Sequence, residues 1–135
     1  TAFYSGTSNG LYIRDISASG ESAQTNYFVD ADVSLTANFA NSSITFATAN
    51  SILTRDDDYD QVHSDVTNLL DLTGTLTING TNFTGEVSNG NLLSGSATGR
   101  FYGDASEVGG TFLVQDAGAG SNKDTYMGAF GASTL

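Results

Sequence analysis

Residues 29–39 read VDADVSLTANF and alternate between apolar and polar side chains without a break. Apolar residues occupy the odd positions from Val29 to Phe39, and Asp, Ser, Thr and Asn occupy the even positions between them. Successive side chains of a β-strand point to opposite faces of a sheet, so this alternation predicts a strand with one buried face. The stretch favours an antiparallel all-β fold, because antiparallel sheets commonly expose one face to water.

Further runs with the same period extend along the chain. The predicted strands are Phe3–Thr7, Leu11–Ile16, Tyr27–Phe39, Ser43–Ala49, Leu72–Ile78, Phe83–Val87, Ser94–Tyr102, Gly110–Val114 and Tyr126–Phe130. The dipeptides Asn9-Gly10, Asn79-Gly80 and Asn89-Gly90 predict tight hairpin turns, because Asn and Gly tolerate positive φ. Many short strands separated by such turns indicate a barrel or a sandwich.

Glycines inside the strand patterns decide between these two architectures. They are Gly74, Gly85, Gly99, Gly103 and Gly128. Glycine weakens a flat sheet but permits the sharp coiling of a small barrel. We therefore predict a closed antiparallel β-barrel of about eight strands with one long loop or short helix, as a single domain over residues 1–135.

The interior of such a barrel is expected to be filled by side chains rather than to form a central pocket. The residues predicted to lie inside are Phe39, Phe46, Leu76, Ile78, Phe83, Phe101, Phe112 and Phe130. Any binding site should therefore lie on the loops or on the outer wall.

Charge and cysteine content exclude several classes of protein. The chain has 15 acidic residues, 4 basic residues and no cysteine, and its formal net charge is −11. This charge repels nucleic acid phosphates and anionic membranes, so a charged partner should be basic or a cation. The lack of cysteine excludes disulfides and thiolate metal sites.

No stretch approaches a membrane span, and we expect a secreted or cell-surface protein whose signal segment has been removed.

One segment breaks the alternation. Arg55–Asp60 is acidic and predicts a long loop, and Gln61–Leu70 predicts a short helix or turn because its apolar residues recur at helical spacing. Two interpretations remain open for this segment. It is either a binding loop or a solvated connection whose apolar residues close one end of the barrel.

The binding interpretation rests on the chemistry that the loop concentrates. Strand faces rich in outward Ser and Thr offer few distinctive anchors, whereas this loop carries dense charge and the only histidine. The predicted partner-binding residues are Asp56, Asp57, Asp58, Tyr59, Asp60 and His63. The carboxylates of Asp56, Asp58 and Asp60 are ligands that calcium prefers, although the spacing of a known calcium loop is absent. A solvated loop or a patch for basic partner residues is the alternative.

Catalytic groups are sparse in this sequence. His63 is the sole histidine, and its neighbours Ser64 and Asp65 form no triad merely by adjacency, since a triad requires groups that converge in space. We therefore predict no enzymatic activity, no catalytic residues and no obligatory cofactor.

The stretch 95–112 reads GSATGRFYGDASEVGGTF, and it resembles the signature of the transferrin-binding-protein-like β-barrel domain of Gram-negative surface lipoproteins and secreted haem carriers. The residues that carry the resemblance are Gly99, Phe101, Tyr102, Gly103, Ala105, Glu107, Gly109, Gly110, Thr111 and Phe112. Asp104 stands where the family often has proline. There it is expected to cap the following turn while Glu107 reaches back to its N–H.

The resemblance implies a barrel scaffold with variable loops that contact the ligand, and a non-enzymatic role in iron or haem acquisition. It also implies haem as a ligand, with Tyr59 and His63 on one side of a helical turn, one ligating the iron and the other supporting it. A structural or adhesive subunit of an extracellular assembly is the alternative function. Fold-level resemblance does not decide between them.

Overall fold

The structure is a computed structural model that describes residues 1–15, 24–55, 64–116 and 124–134. These ranges contain nine β-strands: β1 (Ala2–Asp15), β2 (Gln24–Asn38), β3 (Ser43–Arg55), β4 (Ser64–Thr67), β5 (Thr73–Asn79), β6 (Asn82–Ser88), β7 (Leu93–Tyr102), β8 (Glu107–Asp116) and β9 (Thr125–Thr134). Within them, no helix is long and apolar enough to cross a membrane.

The sheet closes on itself. Its strands follow the order β2, β1, β9, β8, β7, β6, β5, β3, and β2 also pairs with β3, so eight antiparallel strands complete a barrel. The short strand β4 pairs with the second half of β3, beyond the part that pairs with β5. The predicted closed antiparallel barrel is confirmed.

Two of the three predicted Asn-Gly turns are confirmed. The turns after β5 and β6 contain Gly80 at φ 66° and Gly90 at φ 77°. The prediction for Asn9-Gly10 is wrong, because β1 runs through both residues and pairs there with β2 and β9. A Cβ atom at Gly10 would lie 2.4 Å from the carbonyl oxygen of Met127, so close strand approach explains this glycine.

Gln61–Leu70 was expected to form a short helix or a turn, and its described part contains no helix. Its described part forms β4 and a turn at residues 68–70, whereas residues 61–63 lie outside the described ranges. The edge of β3 continues beyond β5, and four residues of β4 satisfy its backbone groups there. Of the segment's apolar residues in the described ranges, Leu70 is buried in the core and Leu69 is exposed, so Leu69 does not contribute to closing the barrel end.

The interior is filled by pairing large residues with small ones. Four phenylalanines lie directly opposite a glycine of a neighbouring strand: Phe46 opposite Gly74, Phe83 opposite Gly99, Phe112 opposite Gly128 and Phe130 opposite Gly110. A Cβ atom at Gly99 would lie 2.5 Å from the Phe83 ring, so the ring occupies the space that the glycine leaves. Alternation of large and small side chains is a way to fill a small barrel.

Most residues predicted to lie inside do so. Phe46, Leu76, Phe83, Phe101, Phe112 and Phe130 are buried, and Ile78 is partly buried against the core. The prediction for Phe39 is wrong, because its side chain is 47% exposed. Strand β2 ends at Asn38, and alternation assigns faces only while the strand continues. Phe39 begins the following turn and packs against Phe101 at 5.5 Å between ring centroids.

The turn between β7 and β8 also differs from its expected form. Gly103, Asp104 and Ala105 all have positive φ, at 57°, 57° and 65°, so they form a left-handed turn. The N–H and hydroxyl of Ser106 donate to the carbonyl oxygen of Gly103 at 3.0 Å and 2.6 Å. The expected capping by Asp104 and Glu107 is therefore wrong, and Ser106 closes the turn instead.

Candidate functional site

A row of apolar side chains crosses the outer wall of the barrel. Phe28 of β2 lies opposite Leu11 of β1, which lies opposite Met127 of β9, which lies opposite Leu113 of β8. We call these four residues the apolar belt. Phe28 is 53% exposed, Met127 and Leu113 are also exposed, and Leu11 is half-buried. The expectation that the strand walls lack distinctive anchors is therefore wrong.

The register of the strands makes the belt continuous. Side chains directly opposite each other on antiparallel strands are about 4.5–5.5 Å apart at Cβ, so each member of the belt reaches the next. Ile52 of β3 lies diagonal to Phe28 and extends the apolar surface to a fifth strand. Exposed apolar residues of monomeric proteins are usually scattered, whereas a contiguous exposed row marks an interaction site.

Carboxylates border the belt on β2. Asp30 and Asp32 are exposed on the same face of the strand as Phe28. The side-chain amide of Asn50 donates to a carboxylate oxygen of Asp32 at 2.8 Å and so fixes its position. An apolar row beside fixed negative charges is complementary to an apolar surface with a basic rim.

The belt lies toward the end of the barrel where β1, β3 and β8 finish and where β2, β4 and β9 begin. Thr54 of β3 is opposite both Phe28 of β2 and Ser64 of β4. Strand β3 thus adjoins the belt through Thr54, and β4 lies on the other side of β3.

The residues predicted from sequence to bind a partner, calcium or haem lie outside the described residues. They are Asp56, Asp57, Asp58, Tyr59, Asp60 and His63. Over the ranges that the structure does describe, no group of three or more His, Cys, Asp or Glu side chains is arranged to hold a metal ion.

Among the described residues, the buried hydroxyls of Ser8 and Tyr126 lie beside each other without a hydrogen bond of good geometry to any protein group. Burial raises the pKa of Tyr126 to about 12, nearby Asp71 and Asp30 also raise it, and the neighbouring Ser8 hydroxyl partly opposes the shift. Tyr126 is therefore protonated and sealed inside the barrel, where it contributes to packing rather than to chemistry.

The sequence analysis did not predict the belt, although the position of one member, Phe28, could have indicated it. Extending the alternation of residues 29–39 backwards places Phe28 on the same face as Asp30, so a large aromatic residue interrupts an otherwise polar face. The other members come from three different strands. Their alignment depends on the register of the strand pairs, which no local pattern contains.

Comparison with known proteins identifies the barrel. A family model for the C-lobe and N-lobe beta barrels of Tf-binding protein B matches residues 1–134. A search of curated proteins finds no match to the chain. The family match covers nearly the whole chain and agrees with the closed barrel seen in the structure. The chain belongs to the family of the C-lobe and N-lobe β-barrels of transferrin-binding protein B.

Proposed function

We propose that this barrel is a non-enzymatic binding module of a bacterial surface or secreted protein, and that it binds a protein partner through the apolar belt. The observation that carries the proposal is the continuous row from Phe28 to Leu113 across four paired strands of the outer wall, in which three of the four side chains are exposed and Leu11 is half-buried. The family is named after a protein that binds transferrin, so transferrin is the first partner to test and iron acquisition is the process it would serve.

The belt has the composition of a binding anchor. Complete burial of a Phe, Leu or Met side chain stabilises a complex by about 1.5–3 kcal/mol relative to leaving it exposed. Large aromatic residues near the centre of an interface often carry much of the binding energy. Phe28 is therefore the expected main contact, and Asp30 and Asp32 are expected to steer a partner with a basic rim.

A structural or adhesive subunit is the second candidate, since an exposed apolar row can also join identical chains. The charge argues against it, because self-association brings together two chains of net charge −11. Light scattering on the purified chain tests this alternative. We expect a monomer. A dimer that Phe28→Ser dissociates would favour the assembly role over the binding module.

We propose that the acidic segment Asp56–Asp60 adds a second contact for a basic partner. Replacing Asp56, Asp57, Asp58 and Asp60 with Asn removes four charges that attract such a partner and should slow association and weaken its dependence on salt. Calcium binding by Asp56, Asp58 and Asp60 is tested with the same variant, by comparing its thermal stability with and without calcium. Unchanged binding and no calcium effect would reduce the segment to a solvated connection.

Haem binding through Tyr59 and His63 has its own test. Titration of the chain with haem, followed by visible absorbance, should give a ligand band that His63→Ala shifts and Tyr59→Phe alters. If both variants match the unmodified chain, these two residues do not ligate the iron.

The protein-binding proposal is tested with transferrin immobilised on a sensor, in iron-loaded and iron-free forms. We expect binding with an association rate that falls as salt rises, because the chain is strongly acidic. Failure to bind either form would overturn transferrin as the partner.

A further inference from the structure

A groove lies on the outer wall across β5, β6, β7 and β8, toward the end of the barrel away from segment 56–63. Its volume is about 600 Å³. The lining side chains include Thr77, Thr84, Thr98, Thr111, Arg100 and Tyr102. It is separate from the apolar belt, which it meets only along β8, where Thr111 is two residues from Leu113.

Two paired glycines contribute backbone to the groove floor, while the Cβ atoms they lack would point inward toward the Phe83 and Phe130 rings. Gly99 of β7 and Gly110 of β8 are paired and both line the groove. A Cβ atom on Gly110 would lie 2.8 Å from the Cα atom of Gly99, so the two strands approach more closely than other residues would permit.

A neighbouring glycine has no such packing reason. Gly109 faces outward into the groove, and a Cβ atom there would come no closer than 3.6 Å to any neighbour. Glycine in a strand costs about 0.5–1 kcal/mol relative to residues with a side chain. With no side chain at Gly109, the backbone at this part of the floor is open to a ligand.

The polar groups around the floor define the chemistry of that ligand. The four threonines form a row in direct register, Thr77 with Thr84, Thr84 with Thr98 and Thr98 with Thr111. The side chains of Asn79 and Asn82 also line the groove. The hydroxyls of Thr84 and Thr98 donate to the carbonyl oxygens of Ala97 and Phe83 and keep lone pairs that can accept from a ligand, so the row is suited to a ligand with several hydroxyl groups.

At one edge of the groove, Arg100 adds a positive charge and Tyr102 adds an aromatic ring. The guanidinium carbon of Arg100 is 6.0 Å from the centre of the Tyr102 ring, within the range of a cation–π contact, and both side chains are exposed. The planar guanidinium can bind a carboxylate through two hydrogen bonds. The exposed ring can stack on the apolar face of a sugar.

We propose that this groove binds an acidic saccharide, with its carboxylate on Arg100, one ring on Tyr102 and its hydroxyls on the threonine row. The net charge of −11 repels an anionic ligand at long range, so the contact depends on the local positive charge of Arg100 and should be strongest at raised salt, where that repulsion is screened. A peptide strand fits less well, because the groove lies on the face of the sheet, where the backbone groups of β6 and β7 are already paired on both sides. Six of the twelve lining residues are threonine or asparagine, so hydroxyl and amide groups line the groove alongside apolar and backbone surface.

The test is a binding titration followed by nuclear magnetic resonance, using sialyllactose, a glucuronate-terminated trisaccharide and neutral lactose as probes. The two acidic sugars distinguish a sialic acid from a uronic acid as the charged group. We expect at least one to bind more tightly than lactose, with amide signals of β6 to β8 shifting. Arg100→Gln should abolish that preference for the acidic sugar.

Gly109→Val and Gly131→Val form a matched pair. Both positions face outward, are paired with each other and have room for a Cβ atom, but only Gly109 lines the groove. We expect Gly109→Val to reduce binding at least tenfold and Gly131→Val to leave it unchanged. Absence of binding to both acidic sugars, or equal binding by the two variants, would overturn the proposal. Transferrin binding by these variants should not change, so failure here is distinguishable from failure of the belt.

Discussion

At the residue scale, the opposition of phenylalanine and glycine across neighbouring strands explains how so narrow a barrel is filled. We predict that Gly99→Ala destabilises the protein by about 1–3 kcal/mol, because its Cβ atom would lie 2.5 Å from the Phe83 ring and force it to shift. Gly131→Ala is the control, since the nearest atom there is 3.9 Å away. Urea unfolding of both variants checks this. Equal stabilities would show that the Phe83 ring moves without cost.

Tyr126 gives a second prediction at this scale. Its hydroxyl is buried without a protein hydrogen-bond partner, so Tyr126→Phe should leave stability unchanged or raise it by about 1 kcal/mol at neutral pH. A loss of stability would mean that the hydroxyl is hydrogen-bonded in solution.

The pKa of the same residue predicts a pH dependence. The unfolded chain releases the Tyr126 proton near the ordinary pKa of 10.0, whereas the folded protein retains it until about 12. The unfolded state therefore binds fewer protons in this window, and the free energy of unfolding should fall as pH rises from 10 to 12. Unfolding curves across this range, with Tyr126→Phe as the control, measure the effect. An identical decline in the variant would assign the loss to other groups.

At the scale of the element, strand β3 contains a bulge that changes which residues face inward. Asp30 pairs with Ile52 and Asp32 pairs with Ala49, so β3 has one extra residue between these pairs. Thr48 is buried before the bulge and Ser51 after it, so the alternation shifts by one position. Asn50 has φ 55° at this point, which asparagine tolerates better than most residues.

The bulge predicts opposite effects for two substitutions. Asn50→Gly should leave stability nearly unchanged, because glycine adopts positive φ freely and the lost bond to Asp32 is exposed. Asn50→Val should cost about 1–3 kcal/mol, because a branched side chain at positive φ is strained. Urea unfolding measures both changes. Similar stabilities for the two variants would mean that the bulge relaxes to another register.

The same strands show how far sequence patterns predict elements. Alternation located the strands because burial of one face follows directly from local spacing, as in residues 29–39. It failed at Asn9-Gly10, at β4 and at Phe39, where the outcome depends on which strand lies alongside. Helical spacing in Gln61–Leu70 was overridden because the free edge of β3 offered backbone partners. Where a local sequence pattern covers only a few residues, pairing with the neighbouring strand decides which element forms.

At the scale of the whole molecule, sequence predicted the closed barrel but not the belt. Barrel closure follows from many strands and interior glycines, whereas the belt requires the register of four strands around the closed sheet. The net charge of −11 complements the belt by favouring a basic partner over a second copy of the chain. The proposed binding module thus combines an apolar anchor with long-range attraction.

The most direct test of this account compares transferrin binding by Phe28→Ser and Phe3→Ser. Both phenylalanines are on the outer wall and similarly exposed, at 53% and 57%, but only Phe28 belongs to the belt, since Phe3 faces Thr36. We predict that Phe28→Ser weakens binding by about tenfold or more, as expected for an aromatic anchor, while Phe3→Ser leaves it unchanged. Equal affinities for the two variants would contradict the assignment of the belt as the binding surface.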